Sequence, residues 1–241
     1  MYSNELYKEK KTMDSRIKLP FIFQVSGPTQ AGKSSWVAQL IRYRNDLLEG
    51  PPLKHIYWFT PYESLPEVLE EENDPIITLI QGLPWEQEDS DELLRDNEDE
   101  GHVLYVIDDF AMETKNSKQL TNYFTKYSHH LHISIIQIVQ SLFWPSPEGR
   151  TRSLNVHYFC LMRNARDNRQ VKTLARQITT SNKDYDAFMQ AYFQATRKPY
   201  SYLLVSLHPR DDPRLLLRSE IFPEEAPTTS VYLLDKSHMR P

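Results

Sequence analysis

At 241 residues, 39% of them hydrophobic, the chain is long enough to bury the core of one α/β domain with small additions. Its single cysteine, Cys160, excludes a disulfide framework and a cysteine zinc site and fits a reducing compartment; no apolar run reaches the length of a membrane span, and the charged stretch 1–20 does not read as a signal. The net charge of −5 hides an asymmetry: residues 67–100 carry fourteen Asp and Glu against one Arg, whereas residues 150–218 carry thirteen Lys and Arg against five acidic residues, so the first reads as solvated helix-and-loop surface and the second as a candidate nucleic-acid face.

In chain order, residues 1–18 read as a polar arm. A buried strand is predicted over 21–26. It leads into Gly27-Pro28-Thr29-Gln30-Ala31-Gly32-Lys33-Ser34, which spells the G-x-x-x-x-G-K-S phosphate-binding loop, or P-loop. A helix is predicted over 35–47, where Trp36, Val37, Leu40, Ile41 and Leu47 recur near helical spacing. Strands follow over 55–60, 76–80 and 103–107, with an acidic loop and some helix over 84–100. A helix over 118–127 precedes a β-branched strand over 133–139 and a further strand over 157–162. Helices are predicted over 168–178 and 185–196, a strand over 201–206 and an edge strand over 215–218. The Pro-rich tail from 223 has no strong pattern. His129, His130 and His132 cluster, but no second ligand group lies at a recognisable metal spacing. Strands alternating with helices argue for a mostly parallel sheet with helices on both faces. The expected organisation is an arm over 1–18, one nucleotide-binding domain over 19–222 and a tail over 223–241.

Each part of the P-loop has a physical role. Gly27 and Gly32 let backbone N–H groups close around phosphate oxygens with no Cβ in the way. Pro28, Thr29, Gln30 and Ala31 form the loop, and the following helix, from Lys33, Ser34 and Ser35, points its positive end at the same anion. Lys33 adds a full charge, and the Ser34 hydroxyl can ligate Mg²⁺.

The second half of the site is expected at Asp108 and Asp109, which end the apolar strand over 103–107. Asp108 is placed to hold Mg²⁺, and Asp109 to orient or deprotonate an attacking water. A GTPase would carry an N-K-x-D guanine reader, and none is found. In P-loop ATPases with such a second carboxylate, one extra strand lies between the P-loop strand and the carboxylate strand. The stretch 133–139 is the candidate, with Gln140 at its tip, where a side-chain amide could hydrogen-bond the attacking water. The expected fold is therefore an α/β P-loop NTPase of the additional-strand (ASCE, RecA-like) type, with ATP and Mg²⁺ as ligands.

The order of motifs resembles the viral DNA-packaging ATPases of the FtsK–HerA superfamily, the poxvirus-type group, and among them the adintovirus- and Polinton-like versions. The P-loop and Asp108-Asp109 carry this likeness together with residues 124–130, 133–141 and 150–155, Asn164-Ala165-Arg166-Asp167, residues 174–177 and 198–204. It covers roughly residues 20–222. The sequence departs from the family pattern at Leu131, Arg152 and Ala165, where an arginine, an apolar residue and a proline are expected. The resemblance implies a homo-oligomeric ring, pentameric or hexameric, that translocates double-stranded DNA into a preformed capsid, with capsid or portal-vertex proteins as partners. It also implies an intracellular site of action during virion assembly, in nucleus or cytoplasm. In such rings a neighbouring subunit supplies an arginine finger to the γ-phosphate. Arg150 and Arg166 are the leading candidates, with Arg152 and Arg163 behind them. Two other functions share these motifs: a nucleotide-binding assembly switch with little turnover, and a helicase or recombination ATPase.

Overall fold

The computed structural model describes residues 14–87 and 101–234. Residues 88–100, which carry eight of the fourteen acidic residues of the block expected as surface, lie outside the described residues, as do most of the N-terminal arm and the last residues of the tail. Eleven strands are described: β1 (Ile17–Lys18), β2 (Ile22–Ser26), β3 (Leu48–Glu49), β4 (Leu53–Thr60), β5 (Ile77–Gln81), β6 (His102–Asp108), β7 (Ile133–Val139), β8 (Tyr158–Met162), β9 (Tyr202–Ser206), β10 (Leu217–Ser219) and β11 (Ser230–Tyr232). The helices are α1 (Lys33–Arg42), α2 (Arg44–Leu47), α3 (Glu67–Glu72), α4 (Ala111–Thr114), α5 (Lys118–Asn122), α6 (Ser128–His130), α7 (Pro147–Leu154), α8 (Arg169–Ile178) and α9 (Asn182–Ala195).

Nine strands form one sheet in the order β11-β10-β9-β8-β2-β7-β6-β4-β5. From β8 to β5 every neighbour is parallel; β9, β10 and β11 continue the sheet in antiparallel pairs. Strands β2, β7 and β8 are buried on both faces, which is why they read as continuous apolar runs rather than alternating ones. Successive residues nonetheless feed two different cores. Ile22, Ile107, Ile135 and Leu161 pack on one face, against Val171, Leu174 and Ala175 of α8 and Phe188 and Tyr192 of α9. Phe23, Val106, Ile136 and Cys160 pack on the other, against Trp36, Val37 and Leu40 of α1. Phe23 stacks on Tyr158 with ring centroids 5.5 Å apart and meets Trp36 at 5.3 Å. Such ring pairs add about 0.5–1.5 kcal/mol each beyond the area they bury.

The sheet order has one functional consequence. Strand β7 lies between β2 and β6, hydrogen-bonded to both, in the place expected for the extra strand. Ser26 is level with Val139, and Asp108 is level with Ile138. The carboxyl ends of the P-loop strand, the extra strand and the carboxylate strand therefore open onto one edge of the sheet, the edge on which ligands bind in open α/β folds.

Several elements differ from expectation. The helix expected over 35–47 starts at Lys33 and breaks at Tyr43, whose φ of −93° and ψ of 19° separate α1 from α2. The stretch 123–127 is one π-helical turn continuing α5. Helix α7 has no apolar periodicity and its signal is local: Ser146 accepts a hydrogen bond from the Gly149 N–H at 3.0 Å, and Pro147 opens the first turn. The strand expected as an edge over 215–218 is interior, because Ser230–Tyr232 pairs outside it. Three residues are too few for a periodic pattern, and this strand is fixed by its partner. In a separate two-stranded sheet, Ile17–Lys18 pairs in parallel with Leu48–Glu49.

Candidate functional site

The loop between β2 and α1 is shaped by two close approaches. A Cβ on Gly27 would come within 2.9 Å of the Met162 Cβ at the end of β8, so the strand end admits only glycine there. Gly32 caps α1 with φ 89°, in the left-handed region, and a Cβ on it would come within 3.0 Å of the Tyr200 ring. Gln30 also has positive φ, at 64°. Helix α1 has no side-chain cap, so its first N–H groups face the loop. Lys33 turns back over the loop and donates to the Pro28 carbonyl at 2.9 Å. Burial pulls the pKa of its ammonium down, while Asp108 and Asp109 hold it up.

A cleft of about 410 Å³ opens beside the loop. Thr29, Gln30, Lys33, Ser34 and Ser35 line one wall, and Asp108, Asp109 and Gln140 line the other. The Ser34 hydroxyl donates to Asp108 Oδ2 at 2.8 Å. Burial raises the Asp108 carboxyl to about 6; the Ser34 hydrogen bond opposes the shift, and the neighbouring Asp109 adds to it. Asp109 has φ 61°, a left-handed conformation that aspartate tolerates better than most residues. The turn directs its carboxylate into the cleft, where it accepts a hydrogen bond from the Tyr62 hydroxyl at 2.5 Å. Gln140 directly follows Val139, whose carbonyl accepts from the Gly27 N–H at 3.3 Å. The β7 tip is thus tied to the P-loop, and the exposed Gln140 lines the same cleft as the two aspartates.

The sequence-predicted phosphate-loop, carboxylate and strand-tip residues thus meet in one place. The arginines do not. Arg150, on α7, and Arg166, in the loop after β8, are exposed and stand outside this cleft. Arg163 lines a different cleft, on the other side of the P-loop. Arg152 is the correction: it is 3% exposed and donates to the carbonyls of Lys115 at 3.0 Å and Ser117 at 3.1 Å. It also reaches the Thr121 hydroxyl at 3.3 Å. A guanidinium committed to those carbonyls ties the start of α5 to α7 and cannot reach a neighbouring subunit. Arg218 is likewise fully buried and donates to the Ser15 carbonyl. The basic half of the chain is therefore only partly a surface property. Its clearest exposed stripe is Arg169, Lys172 and Arg176 on α8, a helix with no acidic residue.

Tyr62 was not singled out from the sequence, because the loop after β4 carries no motif; only the pairing of β4 with β6 brings it to Asp109. Gln170 on α8 was also missed. Its amide donates to Ser141 Oγ at 2.8 Å and its carbonyl accepts from the Phe143 N–H at 3.1 Å, fixing the loop that carries Gln140. Among the described residues no group of three His, Cys, Asp or Glu could hold a metal ion, and no helix is long and apolar enough to cross a membrane.

No family model and no curated protein matches the chain. Solved structures do. The DNA-packaging ATPase B204 from Sulfolobus Turreted Icosahedral Virus superposes with a TM-score of 0.51 at 11% identity, covering 91% of this chain and all of that one. The genome packaging NTPase B204 from Sulfolobus turreted icosahedral virus 2 in complex with AMPPCP gives 0.49 at 11% identity, covering 92% of this chain and all of that one. The cytoplasmic domain of EssC gives 0.43 at 18% identity, over 67% of this chain and 34% of that one. The fold is that of an α/β P-loop NTPase. Its mostly parallel central sheet carries the extra strand between the P-loop and carboxylate strands.

Proposed function

We propose that this chain is an ATP-hydrolysing motor that moves double-stranded DNA into a capsid, acting as a homo-oligomeric ring. The observation that carries the reading is the cleft in which Lys33 and Ser34 face Asp108, Asp109 and Gln140, with Ser34 and Asp108 in direct contact. The shared fold with a viral DNA-packaging ATPase supports the choice of motor.

The P-loop N–H groups and Lys33 bind the β- and γ-phosphates, their positive charge facing the anion from the end of α1. The Ser34 hydroxyl and the Asp108 carboxylate are hard oxygen donors, the type that suits Mg²⁺, and these two residues would hold it. When bound, that ion would neutralise charge on the phosphates. Asp109 acts as general base, taking a proton from the attacking water, and the Gln140 amide orients that water. Its position at the end of β7, tied through Val139 to the P-loop, makes the same amide a reporter of whether the terminal phosphate is present. An exposed arginine of the next subunit, Arg150 or Arg166, completes the site. The stripe Arg169, Lys172 and Arg176 grips the DNA backbone; phosphate contacts carry no sequence information, which suits a motor that moves any sequence.

The test is a steady-state hydrolysis assay with purified protein. ATPase activity should require Mg²⁺ and rise with double-stranded DNA. Replacing Arg169, Lys172 and Arg176 by Gln should leave the DNA-free rate intact and weaken DNA binding, lowering the salt slope by about three. Lys33→Ala should lower turnover by roughly 100-fold or more. A Lys33→Ala protein that hydrolyses ATP at the wild-type rate sinks the site assignment.

The contact between Tyr62 and Asp109 favours a second reading, a nucleotide-binding assembly switch with little turnover, because it ties up the carboxylate that would activate water. A single-turnover experiment separates the two: a switch binds ATP and retains it, whereas a motor releases phosphate.

A further inference from the structure

The two sides of the P-loop are chemically unlike. The cleft toward β7 and β6 holds both carboxylates. The cleft on the opposite side, toward β8 and β9, has a volume of about 430 Å³ and no carboxylate in its lining. Its walls are the loop residues Pro28–Ala31 and the chain after β8 and before β9, including Arg163, Arg197, Lys198 and Tyr200. Tyr200 is 71% exposed, and its ring lies open to solvent on this side of the loop. Its backbone has φ 63°, a left-handed conformation that is a true outlier for a bulky residue. Strain of that kind persists where the surroundings hold it for a purpose. Here it holds the ring against Gly32, one residue before Lys33, at the mouth of α1.

A nucleoside triphosphate has two different ends. Its terminal phosphate belongs on the side of Asp108 and Asp109, where the hydrolytic groups are. With the phosphates lying across the end of α1, the ribose and base must leave on the other side of the loop. We propose that this second cleft is the nucleoside subsite, with the base stacked on the Tyr200 ring. This rests on the phosphate-site reading above. The exposed cations Arg163, Arg197 and Lys198 supply hydrogen-bond donors to the ribose and the first phosphate. No carboxylate lines the cleft to read the guanine N1–H and amino group. Selection therefore comes from stacking area, which favours purines over pyrimidines and treats adenine and guanine alike.

The experiment compares dissociation constants of ATP, GTP, CTP, UTP and inorganic tripolyphosphate for the wild-type chain, Tyr200→Ala and Tyr200→Phe. The wild-type chain should bind the two purine nucleotides alike and several-fold more tightly than the pyrimidine ones. Tyr200→Ala should weaken ATP roughly ten-fold and remove the purine preference, while tripolyphosphate binds as before. Tyr200→Phe should behave as wild type. If Tyr200→Ala weakens ATP and tripolyphosphate alike, the ring merely supports Gly32 and the base site is wrong. An unchanged ATP affinity overturns it as well. A wild-type chain that binds neither ATP nor tripolyphosphate overturns the phosphate-site reading itself, and the base site with it.

Discussion

An Asp109→Asn chain should bind ATP as tightly as wild type and hydrolyse it about 10²- to 10⁴-fold more slowly, the usual contribution of a positioned general base. Binding should survive because the P-loop, Lys33 and the Ser34–Asp108 contact are untouched. The fold should survive because Asp109 is exposed at the end of β6, and asparagine tolerates the left-handed φ of 61° as well as aspartate does. The amide retains an acceptor for the Tyr62 hydroxyl, so the loop after β4 keeps its anchor. Nucleotide binding by titration and phosphate release by single-turnover assay check the two halves separately. If affinity and turnover fall together, Asp109 belongs to the binding site and the base lies elsewhere. If neither falls, the carboxylate has no part in hydrolysis.

The Arg150→Ala/Arg166→Ala double variant should lose about 10³-fold or more in turnover, the scale on which an arginine finger contributes to phosphoryl transfer. Mixing this inactive protein with inactive Lys33→Ala should restore part of the activity. Each chain would carry the half-site that the other lacks, so a mixed interface contains one complete site. Both arginines are exposed and outside the phosphate cleft, as residues acting on a neighbouring subunit must be. Arg150 stands one turn from Leu154 on α7, and Leu154 is 73% exposed, a large apolar side chain available to a subunit contact. The two single variants then say which arginine acts. Mixed assemblies that form without regaining activity would refute an intersubunit finger at either position.

The buried position of Arg152 narrows this choice. In sequence it stands two residues from Arg150 and looks equivalent. In the fold the two differ by half a helical turn and more, so one faces solvent and the other meets the carbonyls of Lys115 and Ser117. The same helix geometry separates the exposed cations of α8 from Val171, Leu174 and Ala175, which are core. Counting charges along the chain could not distinguish a cation that satisfies buried carbonyls from one that meets phosphate.

Much of the candidate site was legible in the sequence, because its determinants are local. A strand, a glycine-bounded loop and a helix shape the proposed phosphate cradle through their own backbone geometry, so the motif from Gly27 to Ser34 is legible without knowing the neighbours. An apolar strand ending in Asp108-Asp109 is similarly local, and so are the β-branched residues of β7. The mostly parallel α/β sheet followed from alternating elements, and the place of β7 followed from the second carboxylate. What tertiary structure decided are contacts between segments distant in sequence. Tyr62 meets Asp109 across 47 positions, Gln170 fixes Ser141 across 29, and the Tyr200 ring meets Gly32 from the turn before β9, two strands along the sheet from β2. Side chains such as these have no pattern of their own. Their roles come from strand order and from which face of a helix meets a neighbour, and both are settled only when the whole chain packs.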